Sequence, residues 1–194
     1  MLSDAEKRFL LRVARHSVEA AVNDSALEEF TSEFSPALCS ACGAFVTLRN
    51  GTDLRGCIGY VDPVRSLVET VREVSAKAAT DDIRFHPLSP DELRDIWIEI
   101  SVLSPLTPLA DIGEIDIGNH GLVVQSGRRR GLLLPQVAVE YGWDRETFIS
   151  QTARKAGLSG DGWMNPSVTV FTFTAEVFSE RSIPAAASPS AASH

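Results

Sequence analysis

GAFVTLRNGTDLRGCIGY, residues 43–60, is the stretch on which the fold turns. It holds two runs of strand-forming residues, GAFVTL (43–48) and LRGCIGY (54–60), separated by Arg49-Asn50-Gly51-Thr52-Asp53. Asn-Gly between two such runs is a strong local signal for a β-hairpin. The second run is unusual for a strand because Gly56 and Gly59 interrupt it. Glycine weakens a strand interior and marks a bulge or a close approach to the backbone. Cys57 lies between them, and such a residue is either a small core side chain or an accessible thiol.

Helices flank this hairpin. Ser3 with Glu6 three residues on forms a capping box, and Phe9, Leu10, Val13, Ala14, Val18 and Ala21 recur at helical spacing, which predicts a helix over 4–22. Residues 23–36 read as polar and turn-like. Asp62-Pro63 offers a cap and a first-turn proline for a helix carrying Leu67, Val68, Val71, Val74 and Ala78 and ending near Thr80. DDIRFHPL (81–88) reads as a loop, and Ser89-Pro90 opens a short helix. IWIEISVL (96–103) alternates: Ile96, Ile98, Ile100 and Val102 share one face, with Trp97, Glu99, Ser101 and Leu103 on the other. A second hairpin is expected over 120–135 around Ser126-Gly127. Helices at 135–142 and 144–156 follow, then Gly157 at a C′ position and a long strand at 168–178. Antiparallel pairing dominates this order, so the expected class is α+β, a mainly antiparallel sheet with flanking helices. The globular domain is expected over 1–180, and RSIPAAASPSAASH (181–194) reads as a disordered Ala/Ser/Pro-rich tail.

Composition narrows the function classes. With 194 residues, 44% hydrophobic and 23% charged, the chain is large enough for one good core. A formal net charge of −8 argues against direct nucleic-acid binding. No run of about 18 apolar residues is present, the N-terminus lacks a signal-peptide core, and three cysteines are too few for a disulfide framework; the cytoplasm is the expected location.

Candidate chemistry is sparse. Cys39-Ser40-Ala41-Cys42 is a C-x-x-C without the second pair that structural zinc needs, so buried or incidental thiols are expected there, with no metal and no cofactor. Gly-Arg-Arg-Arg-Gly (127–131) is the one dense basic cluster and reads as a solvated turn. His120, at the start of a strand, and His86, in the loop, together with Cys57 supply the parts of a thiol-plus-base arrangement. Glu99 at mid-strand faces water or enters a cleft with a cationic partner, for which Arg55 and Arg84 are candidates. Dinucleotide, phosphate-loop, zinc-protease and serine-hydrolase signatures are absent.

LRGCIG (54–59) resembles the six-residue signature of the AMMECR domain family, the "protein A" component of the AmmeMemoRadiSam gene sets of bacteria and archaea. GAFVTL, RFHPL (84–88), IEISVLSPL (98–106), NHGLVV (119–124), GLLLPQVAVEYGWD (131–144) and RKAGL (154–158) continue the resemblance in order, over roughly residues 5–180. It departs from the family pattern at Cys42, where Arg is common, at Ala153, where Cys is frequent, and at His86, where Pro is frequent. The resemblance implies two lobes with a cleft between them, and association with a MEMO-type protein and a radical-SAM enzyme. It carries Leu54, Arg55, Gly56, Cys57, Ile58, Gly59, Arg84, Glu99 and His120 into matched motifs.

Two functions from different classes follow. In the first, the protein is a cysteine-dependent catalyst or enzyme component acting on a small polar or nucleobase-like substrate. Cys57 is the nucleophile or covalent anchor and the most reactive of the three thiols. His120 is the base and Glu99 orients a partner. Arg55 and Arg84 bind an anionic group, while Gly56 and Gly59 keep the backbone open to the ligand. In the second, the protein is a non-catalytic module that scaffolds those partners. The surroundings of Cys57 discriminate between the two.

Overall fold

A computed structural model describes residues 1–26 and 34–183. The chain divides into two compact units: residues 1–102 together with the segment from Val177 onward, and Leu103–Glu176.

In the first unit, α1 (Asp4–Val22) starts where the capping box predicts: Ser3 Oγ accepts from the Glu6 amide and the Glu6 carboxylate accepts from the Ser3 amide at 2.7 Å. A short α2 (Pro36–Cys39) leads into the hairpin of β1 (Ala44–Asn50) and β2 (Asp53–Tyr60), and α3 (Leu67–Thr80) follows. After a 3₁₀ turn at Pro90–Arg94 comes β3 (Ile96–Leu103). Strand β1 pairs antiparallel with β2 on one side and β3 on the other, leaving β2 at an edge. Leu10, Val13 and Val18 of α1, Val71 and Val74 of α3, Val46 and Leu48 of β1, and Ile98 and Ile100 of β3 are fully buried together. Each such side chain stabilises the fold by about 1.5–3 kcal/mol relative to exposure. This sends the odd-numbered residues of β1 and β3 to the opposite face.

One boundary differs from expectation. Helix α3 is capped by Ser66, not by Asp62-Pro63. Ser66 and Glu69 form a reciprocal box, Glu69 N to Ser66 Oγ at 3.3 Å and Ser66 N to Glu69 Oε2 at 3.1 Å. Two satisfied orphan donors outweigh one cap, and Pro63 is left in a turn closed by Val64 N to Asp62 O.

The C-terminal boundary also moves. Arg181 stacks over Trp97 at 4.5 Å, and Ile183 packs on the core and donates its amide to Ser179 O at 3.0 Å. Arg181–Ile183 therefore belong to the first unit; residues 184–194 of the expected tail lie outside the described residues.

In the second unit, β5 (His120–Ser126) pairs with β6 (Arg129–Leu133) across the basic turn and, on its other side, with β7 (Thr169–Ser179), which also pairs with a two-residue β4 (Thr107–Pro108). Helices α4 (Pro135–Glu140) and α5 (Arg145–Lys155) cover Ile115, Leu122, Val124, Phe148 and Ile149. Among the described residues no helix is long and apolar enough to cross a membrane. Antiparallel pairing with flanking helices makes the fold α+β.

Candidate functional site

The middle strand organises the site. Thr47 of β1 lies opposite Cys57 of β2 and opposite Glu99 of β3, so the three form one row across the sheet, on the face away from the core. Cys57 turns its backbone N–H and C=O outward to the free edge of β2, which makes Cys57–Thr47 a non-hydrogen-bonded pair, the kind with the closer side chains. Thr47 Oγ1 accordingly reaches Cys57 Sγ at 3.4 Å. Thr47 is buried, while Cys57 and Glu99 are half-buried. Glu99 is two strand steps from Cys57, roughly 9–10 Å between backbones.

At the edge, the loop after α3 supplies what a neighbouring strand would. Asp82 Oδ2 accepts the Cys57 amide at 2.8 Å, and Arg84 Nη2 donates to the Cys57 carbonyl at 3.2 Å. The two loop side chains also grip each other: Arg84 Nε to Asp82 Oδ1 at 2.9 Å and Nη2 to Oδ2 at 2.6 Å. The Asp82 side chain is only 5% exposed, so its charge is satisfied wholly by these partners. The Arg84 guanidinium and the Cys57 amide hold its carboxyl down to about 2, and Arg84 is raised, first by Asp82 and further by the adjacent Cys57 thiol. Asp82, like Thr47 and the Glu92 that pairs Arg55, is a site residue that sequence reading missed. The one sequence signal for Asp82 is a carboxylate two places before Arg84 in a loop.

Arg55 is bound in the same way. The register slips between Leu48 and Arg49, so β2 carries an extra residue at Arg55, and the bulge aims this side chain along the edge. It forms a two-pronged pair with Glu92, Nε to Oε1 at 2.6 Å and Nη2 to Oε2 at 3.0 Å, and donates to the carbonyls of His86 at 2.9 Å and Pro87 at 3.4 Å. Arg55 in turn pulls Glu92 down to about 2. Arg55, Ile83, Arg84, Phe85 and His86 line an open groove of about 550 Å³ beside this edge. Ile83 is fully exposed in it.

The signature glycines answer to packing. A Cβ on Gly56 would stand 2.2 Å from the carbonyl oxygen of Ala78, because α3 lies directly on the strand there. A Cβ on Gly59 would stand 2.3 Å from the Phe45 ring, which lies across this glycine from the facing strand. Neither glycine is a gap left for a ligand, contrary to the expectation drawn from the sequence.

The remaining candidates are His120, His86, Cys39 and Cys42. His120 belongs to the second unit, where its Nδ1 accepts the Asp116 amide at 3.1 Å, leaving the proton of the neutral ring on Nε2. His86 is exposed in the groove, and its carbonyl holds Arg55. Cys39 is exposed and Cys42 half-buried, and burial raises the Cys42 thiol; both are free thiols. Among the described residues no three His, Cys, Asp or Glu side chains gather as metal ligands.

The family model for AMMECR1 matches residues 11–178, a span that includes the signature strand, the loop of Asp82 and Arg84, and Glu99. The chain belongs to the AMMECR1 family. Its relatives include a protein of Methanothermobacter thermautotrophicus, 43% identical over 185 residues that cover 92% of this chain and 96% of that one. A protein of Thermococcus gammatolerans is 41% identical over 189 residues, covering 92% of each. Among solved structures, the uncharacterized protein PH0010 of Pyrococcus horikoshii superposes with a TM-score of 0.88 at 37% identity, over 93% of this chain and 94% of that one. This AMMECR1 member thus shares its fold along nearly its whole length.

Proposed function

We propose that the protein is a cysteine-dependent catalyst or enzyme component that works in the cytoplasm with MEMO-type and radical-SAM partners, as AmmeMemoRadiSam gene sets imply, on a small polar substrate. The observation that carries this reading is the setting of Cys57. The residue is half-buried, its sulfur takes a hydroxyl contact from Thr47, and an Asp82–Arg84 pair grips its peptide on both sides. A nucleophile needs this combination of access and fixed position. In the proposed chemistry the thiol proton passes to water. The sulfur pair then adds to the carbon of a C=O or C=N group as the π pair moves onto oxygen or nitrogen, which takes a proton from water; the reverse step breaks the C–S bond and returns the thiolate and the starting group, so that Cys57 serves as a reversible covalent anchor. Glu99, in the same row, is placed to accept a hydrogen bond from the bound group. Arg55, Gly56 and Gly59 enter as the structure that holds the strand. The base role expected of His120 is not carried into this reading, which uses the first unit alone.

The second reading, a non-catalytic module for the same partners, draws on one specific observation: both arginines of the site are already paired internally. Cys57→Ser separates the two. The catalytic reading expects the fold and capture of co-expressed partners to survive while Cys57-directed alkylation and any turnover by the assembled set vanish. Loss of partner capture with an intact fold would establish the interface role instead.

A further inference from the structure

The groove beside Cys57 is lined by two arginines, which at first sight suits a carboxylate or a phosphate. The pairing speaks against that. Arg84 gives Nε and Nη2 to Asp82, and Arg55 gives Nε and Nη2 to Glu92 and Nη1 to the His86 carbonyl. Each guanidinium meets its own carboxylate at 2.6 Å, so the four groups sum to no charge. An anion that took the Nε and Nη2 edge of Arg84 would have to displace Asp82, whose side chain is 5% exposed. A buried carboxylate stripped of its cation costs far more than a new surface pair returns. The next charges on this face include Glu99, in the row of Cys57, and Arg49 and Arg181, both over Trp97 in the adjoining row. The rest of the lining is exposed Ile83, half-buried Phe85, and exposed His86.

We infer that this site takes a neutral, hydrogen-bonding electrophile and discriminates against anions, because its two arginines are neutralised by Asp82 and Glu92. The inference rests on the thiol reading above and names the substrate class for it. Groove and thiol share Arg84, which lines the one and bonds the carbonyl of the other. The arginines serve to fix the edge of β2, and the substrate is held by neutral donors and acceptors, among them the Thr47 hydroxyl.

Two reagents of matched size test this, iodoacetamide (neutral) and iodoacetate (anionic), with modification read at Cys57 by peptide mass spectrometry. The measured quantity is the amide-to-acetate rate ratio in the folded protein divided by the same ratio for the chain unfolded in denaturant. The expected value is above one, and a value of one or below overturns the inference. Asp82→Asn leaves an acceptor for the Cys57 amide but frees the Arg84 charge. A unit charge about 5 Å from another in water changes an equilibrium by about fourfold, so this variant should shift the ratio about fourfold toward iodoacetate, and less in high salt. Glu92→Gln should shift it in the same direction through Arg55, and it carries this arm if circular dichroism shows Asp82→Asn unfolded. Wild-type protein that favours iodoacetate about fourfold over the unfolded chain overturns the inference while leaving the thiol reading intact. Variants that fold and leave the ratio unmoved overturn it equally. A folded Cys57 that neither reagent reaches overturns the thiol reading, and this inference falls with it.

Discussion

Gly56→Ala tests directly whether the signature glycines answer to packing. The added Cβ would lie 2.2 Å from the Ala78 carbonyl oxygen and 3.2 Å from its carbon. Real Cβ contacts stay above about 3 Å, and the obstructing atoms are helix backbone, so no side chain can swing aside; α3 must move bodily by about 1 Å. That helix seats Val71 and Val74 in the core, and shifting it loosens contacts with α1 and β1. Overpacking of this kind costs about 1–3 kcal/mol. For a chain of this size, each kcal/mol lowers the melting temperature by about 2–4 °C, so the first unit should melt roughly 2–12 °C lower. Gly59→Ala is the internal comparison. Its Cβ meets the Phe45 ring at 2.3 Å, a side chain that can turn away, but also the backbone oxygen of Ala44 at 2.5 Å, so Phe45→Leu in the double variant should relieve only part of the loss. Differential scanning calorimetry of the single and double variants measures all of this. A Gly56→Ala protein that melts within a degree of wild type would refute the packing account and return this glycine to a ligand role.

Asp82 and Glu92 are both depressed to about 2 in the folded protein, by Arg84 and Arg55 respectively. Because the folded value lies below the unfolded one, the stability they add is complete above about pH 5 and is lost as pH falls toward 2. The melting-temperature gap between wild type and Asp82→Asn should therefore be constant near neutrality and close on acidification; a gap that widens in acid would show the sign to be wrong. Thr47→Val keeps shape but removes the donor to Cys57 Sγ. It should slow alkylation of Cys57 by up to about tenfold, and an unchanged rate would show that the contact does not assist the thiol. Truncation after Glu180 should melt several degrees below truncation after Ile183, because only the shorter chain loses the Arg181–Trp97 stack and the Ile183 contact.

What could be read in the sequence and what could not divide along the range of the interactions involved. The capping box at Ser3 and Glu6, the alternation of Ile96 to Val102, and the Asn-Gly turn at 50–51 are each complete within a few residues, and each appears in the structure where local pattern puts it. Asp62-Pro63 misled because two local start signals competed and Ser66-x-x-Glu69 satisfies more backbone donors. The candidate site fails in a different way. Cys57 and Arg84 do meet, but through backbone, and the residue that joins them, Asp82, is 25 positions from Cys57. No window of sequence distinguishes an aspartate that closes a strand edge from one that faces water in a loop. Arg55 shows the same blindness from the other side: a guanidinium beside a cysteine reads as an anion holder until Glu92, 37 residues on, is seen to occupy it. Charges at a site are thus assigned by tertiary partners. The chemistry proposed here follows from those partners: the two arginines that identified the site hold the strand, and the thiol, Thr47 and the neutral groove beside them are left for the substrate.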